Sequence, residues 1–153
     1  MDLDAVNNTV GDVLDAMLAT DPREHRLPRG FGWPAGACED ASAVVAAILE
    51  DRRLGRWIFV TAGRPDGEPD GHAWLEWRAA DGGLLYSIDS TIHQFAGWSE
   101  PFIGEGQTPA AAIFSVVRWE GAIWDWPDLG PPDMPLPRLI TAVREQLGCD
   151  HSE

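Results

Sequence analysis

Three residues whose types can share one reaction follow each other along the chain: Cys38 in "GACEDAS", His72 in "GHAWLEW" and Asp89 in "LLYSIDS". A thiol attacks a carbonyl only as thiolate. It therefore needs a base that later protonates the leaving group, and a third group that orients that base. Cys, His and Asp fit those roles in turn. Each also has an ordinary structural use: a cysteine on an apolar helix face is usually a small core hydrophobe, and a histidine opening an apolar strand can simply meet a backbone carbonyl. Zinc is the other use of such a set, but the chain has no C-x-x-C or H-x-x-x-H pairing, and no metal is expected.

The elements around these residues decide whether they can meet. Cys38 falls in the first turn of a helix expected from about Ala37 to Asp51, with Ala41, Val45 and Ile48 following at three- and four-residue steps on the same face. The thiol then points to the core side at the positive end of the helix dipole, where free N–H groups can receive an oxyanion. Glu39 and Asp40 oppose its ionisation. "HAWLEW" and "LLYSIDS" read as strands joined at "AADGG". If a two-residue turn at Asp81-Gly82 closes the hairpin, His72 opposes Thr91, Trp74 opposes Asp89 and Glu76 opposes Ser87. His72 and Asp89 become diagonal neighbours on one face, and a shift of one residue would separate them.

The rest of the chain supplies the frame. Leu3, Val6, Val10, Val13, Leu14, Met17 and Leu18 keep helical spacing over residues 3–19, ending before Asp21-Pro22. A Gly/Pro-marked loop follows to Gly36. "RWIFVTA" reads as a strand, "GRPDGEPDG" as a turn-rich loop and "FAGWSEPFIGEGQTP" as a Gly/Pro-rich loop. A strand is expected in "AIFSVVRW", another in "AIWDW", and a last helix from about Arg138 to Leu147, stopped by Gly148. Helix, helix, strands, helix predicts an α+β fold, an antiparallel sheet packed against helices, rather than alternating βαβ units.

Other residues compete for roles. His93 is a rival base or a rim residue, while His25 and His151 lie in polar segments. Ser42, one turn after Cys38, either adjusts the site or bonds a local backbone group. Gln94 and Trp33 are candidate oxyanion donors, and Trp98 and Trp74 candidate substrate-binding residues. Most of the eight tryptophans are expected in the core or half-buried in the sheet.

Length and composition set bounds. The 153 residues are expected to form one domain. A net charge of −14, with 25 acidic residues against 11 basic ones, argues against nucleic acid and anionic membrane as partners. All the basic residues are arginine. The first residues lack the pattern of a secretory signal and no stretch reaches membrane-spanning length, so a cytoplasmic location is expected. Of the two cysteines, Cys149 lies in a polar tail, which leaves Cys38 as the candidate thiol.

Taken together, "GACEDAS", "GHAWLEW" and "LLYSIDSTIHQF" resemble the transglutaminase-like branch of the papain-like cysteine enzymes, in which a helix-borne Cys is followed by a His on one strand and an Asp on the next. The compact spacing also looks like that of arylamine N-acetyltransferases, and "HAW-x-E" is similar to the small leader peptidases of lasso-peptide biosynthesis. The resemblance covers about Gly36 to Phe95. It implies a papain-like core with the catalytic Cys at a helix N-terminus, a Cys38-His72-Asp89 triad and no cofactor. The expected reaction is hydrolysis or acyl transfer through a thioester, on a peptide, protein or small amide. Two alternatives stay open: a non-catalytic peptide- or protein-binding domain on the same fold, and a biosynthetic enzyme acting on small acyl thioesters.

Overall fold

Asp2 begins the structure's first helix by accepting a hydrogen bond from the Ala5 amide at 3.0 Å, and the apolar spacing then carries α1 through Leu3–Ala19. The computed structural model describes residues 1–20, 38–94 and 97–148, and the side chain of Gln94 is also outside what is described. Helix α2 (Cys38–Asp51) is buried without interruption from Ala41 to Leu49. A helix apolar nearly all round must be enclosed on all sides. Here α1, α3 (Pro135–Gln146) and the sheet enclose it. The last helix begins earlier than its apolar spacing predicts, because Pro135 fits a first helical position, where no amide partner is needed.

The strands are β1 (Ile58–Gly63), β2 (Gly71–Arg78), β3 (Leu84–Asp89), β4 (Phe102–Glu105) and β5 (Val116–Gly121), in the spatial order β4-β3-β2-β1-β5. Every pairing is antiparallel. The fold is α+β, with the helices on one face of the sheet. Phe59, Ala73, Leu75 and Ile88 turn toward α1, α2 and α3 and form the larger core. Val60, Ala62 and Trp74 turn the other way and pack with Ile92, Ala110 and Phe114 in a smaller one.

Four local expectations are corrected. Strand β4 falls in a segment expected as a loop: it has four residues, includes Gly104, and is held by pairing along β3 from Tyr86 to Asp89. "AIFSVVRW" is split between a 3₁₀ turn at Pro109–Ala112, capped by Thr108, and the start of β5. "AIWDW" makes a 3₁₀ turn at Ile123–Asp125. The β2–β3 turn is one residue longer than expected, with Ala79 bonding Gly83 and Gly82 bonding back to Ala79 at φ 90°. A bulge between Trp77 and Arg78 absorbs the extra residue. Beyond it Glu76 opposes Ser87 and Leu75 opposes Ile88, the register expected from the sequence.

Candidate active site

His72 and Asp89 project from neighbouring central strands on the face away from the helices, and they meet. His72 Nε2 lies 2.8 and 2.9 Å from the two Asp89 carboxylate oxygens. Both side chains are fully buried. The carboxylate can only accept, so Nε2 carries the proton and Nδ1 is the basic nitrogen of the neutral ring. Asp89 is held in turn by Thr108, whose hydroxyl donates to Oδ2 at 2.7 Å and accepts from the Ala110 amide at 3.3 Å. Nothing in the sequence flags Thr108 beyond its place as a cap before Pro109, and its approach to Asp89 depends on β4 and the turn that follows.

Cys38 opens α2, half-buried, and comes from the helix layer. Two contacts fix the helix end against β2. The buried Ser42 hydroxyl donates to the Ala73 carbonyl at 3.3 Å, and the Cys38 sulfur takes a backbone hydrogen bond at Ala73, the residue after His72. Ser42 thus bonds a backbone group across the helix–sheet contact. Thiol and imidazole line the same pocket, of about 470 Å³, with Thr61 and Gly71 on the strand ends and Arg118, Trp119, Trp126 and Asp128 as its outer wall.

The thiol is far from ionised by itself. Burial, then the charge of Glu39, push its pKa up to about 12, against hydrogen bonds from the backbone of Ala73 and Glu39. The helix-end environment expected to lower this pKa is outweighed, because the low-dielectric setting penalises the anion and Glu39 stands beside it. Glu39 itself is raised, by burial and then by Asp40 and Asp128, with Arg118 pulling it down. Glu39→Gln removes one of the two main causes of the raised thiol pKa. The pH profile of Cys38 alkylation is expected to move to lower pH in that variant, with a rate gain of up to about tenfold near neutrality. A shift to higher pH would contradict this account of the site.

The remaining candidates disperse. Trp74 is buried in the smaller core and its indole N–H donates to Glu76 at 2.8 Å, so the substrate-binding expectation for it is corrected. Trp98 is exposed and packs edge-on against Phe102, away from the pocket lining. Trp119 and Trp126 pack against Phe59 in the larger core, as expected, and also line the pocket. His93 follows Asp89 on the 3₁₀ turn Ile92–Gln94; burial lowers its pKa, opposed by Asp89, and its Nδ1 is buried without a partner among the described residues. Gln94 belongs to that turn, and nothing is described of its side chain. Trp33, His25, Cys149 and His151 lie outside the described residues.

Among the described residues no group of three or more His, Cys, Asp and Glu is arranged to hold a metal ion, and no helix is long and apolar enough to cross a membrane. Comparisons of the chain with protein-family models, with curated proteins and with solved structures found no match.

Proposed function

We propose that this protein is a cysteine-dependent amide enzyme, a hydrolase or acyltransferase of transglutaminase-like, papain-like design, with Cys38 as nucleophile, His72 as base and Asp89 as the group that orients it. The observation that carries the reading is the buried, doubly bonded His72–Asp89 pair at the edge of a pocket that a helix-borne thiol also lines. Nδ1 of His72 takes the thiol proton as sulfur bonds to the carbonyl carbon of a peptide, protein or small amide. The resulting oxyanion is received by N–H groups at the start of α2. The C–N bond then breaks, the departing amine takes its proton from Nδ1, and water or a second amine resolves the thioester. Water returns an acid; an amine yields a new amide.

A neutral thiol-imidazole pair suits the electrostatics. With its pKa pushed up to about 12, Cys38 does not lose a proton to solvent near neutrality. Passing it to an imidazole backed by Asp89 keeps the site's net charge constant. The same raised pKa favours a second reading, in which the pocket binds a peptide or protein without reacting and Cys38 is a small side chain in its wall.

Iodoacetamide treatment followed by intact-mass measurement separates the two. In a Cys149→Ser background the amide enzyme predicts that Cys38 is labelled near neutral pH faster than a free small-molecule thiol, and that Cys38→Ala abolishes the labelling and any turnover while preserving the fold. Labelling no faster than the free thiol would favour the binding domain.

A further inference from the structure

Strand β5 contains an irregularity beside the site. Thr61 pairs with Trp119 and Ala62 with Val117, so Arg118 is the extra residue of a β-bulge. Bulges re-aim side chains, and this one lays the Arg118 guanidinium flat on the sheet. It rests over Gly63 and Gly71, which are cross-strand partners. A Cβ on Gly63 would lie 2.4 Å from Nη2 and 2.6 Å from Cζ and Nε, and one on Gly71 would lie 2.8 Å from Nη1. Neither glycine has a positive φ, so backbone conformation does not explain them. Space for the guanidinium accounts for Gly63; at Gly71, the glycine that precedes His72, a Cβ would also meet the Ala62 carbonyl oxygen at 2.9 Å, so both the guanidinium and the neighbouring strand require the space.

Arg118 is exposed and shares the pocket with Cys38 and His72. Arg64, Arg78 and Arg144 each hold a carboxylate within 2.8 Å. Among the described residues Arg118 makes no ion pair, although its charge pulls on Glu39 and Asp70 from farther off. A guanidinium laid over two glycines at the pocket mouth, with no ion-pair partner among the described residues, suits a planar anion.

We propose that Arg118 binds a carboxylate of the substrate, holding a singly charged acidic group beside the Cys38 thiol. Glu39 and Asp128 in the same wall disfavour a dianion such as a phosphomonoester more than a carboxylate. The inference rests on the reading of Cys38 as nucleophile, and its test keeps the two apart.

Iodoacetate and iodoacetamide deliver the same carbon to sulfur and differ in the carboxylate. A free thiolate repels iodoacetate, and the pocket carboxylates would add to that repulsion. If Arg118 captures the carboxylate, the iodoacetate-to-iodoacetamide rate ratio at Cys38 exceeds that of glutathione by roughly ten- to hundredfold. Arg118→Gln should remove that excess. Gly63→Ala should remove it too, because it displaces the guanidinium without changing the charge. A ratio equal to that of glutathione, or retained in either variant, overturns the proposal. If neither reagent labels Cys38, the nucleophile reading fails by itself and binding still decides the role of Arg118. In Cys38→Ala protein, N-acetylglycine should then shift the indole N–H resonances of Trp119 and Trp126 saturably, and N-acetylglycinamide should not. Loss of that response in Arg118→Gln supports the proposal; no response to the acid, or the same response without Arg118, refutes it.

Discussion

His72→Gln should leave Cys38 close to inert near neutral pH. With its pKa pushed up to about 12 by burial and by Glu39, the thiol is overwhelmingly protonated at pH 7 and yields far less thiolate than an ordinary cysteine. Only a neighbouring base can offset that deficit. Glutamine is the informative replacement because its amide can donate to the buried Asp89 carboxylate, which alanine would leave short of a donor. Folding should survive, while alkylation by iodoacetamide falls by about a thousandfold and climbs about tenfold per pH unit far into the alkaline range. Stopped-time mass spectrometry across that range measures both. A variant that keeps the wild-type rate and profile would remove His72 from the reaction.

Asp89→Asn should cost on the order of a hundredfold or more in turnover with the fold retained. The amide keeps the shape of the carboxylate between His72 Nε2 and Thr108 Oγ1, at 2.8 and 2.7 Å in the native protein. It supplies a donor as well as an acceptor, so the tautomer with its proton on Nε2 is no longer enforced, and an imidazolium loses its counter-charge. Asp89→Ala is a different perturbation. It strands the Nε2–H and the Thr108 hydroxyl in a site without water access and should lower stability by roughly 3 kcal/mol or more, visible in urea denaturation. Comparing the two separates loss of orientation from loss of structure. An unchanged turnover and alkylation rate in Asp89→Asn would mean that something else orients His72.

The meeting of His72 and Asp89 was legible in the sequence because strand alternation is a strict constraint: once Glu76 faces Ser87, the face of each partner follows. The turn was not legible. Ala80 joins Asp81 and Gly82 in the loop, and without the bulge at Arg78 that extra residue would have put Asp89 on the helix face. The register survived because two local departures cancel, and only packing on both faces of the sheet could require that. Strand β4 gave no signal, since four residues with one glycine carry too little alternation, and pairing with β3 defines it. Thr108 and Arg118 were invisible for a related reason. One reaches Asp89 across β4 and the other is aimed by a bulge, and neither contact has a local signature. Most of the described tryptophans kept to the core or half-buried positions expected of them, but which of them also face the pocket was not legible, because one indole can serve both: Trp74 is enclosed in the smaller core, while Trp119 and Trp126 pack on Phe59 and line the pocket as well.

The order β4-β3-β2-β1-β5 divides the molecule by its tolerance to change. His72 and Asp89 ride on strands with a neighbour on each side, His72 paired with Ala62 and Asp89 with Phe102. The residues that would greet a substrate lie elsewhere: Glu39 in the first turn of a helix, Arg118 on a bulged edge strand, Asp128 in the segment after it. The pair His72–Asp89 does not itself include any of those peripheral side chains. If the central pair serves the proposed chemistry, descendants of such a chain could exchange what they recognise while keeping that pair.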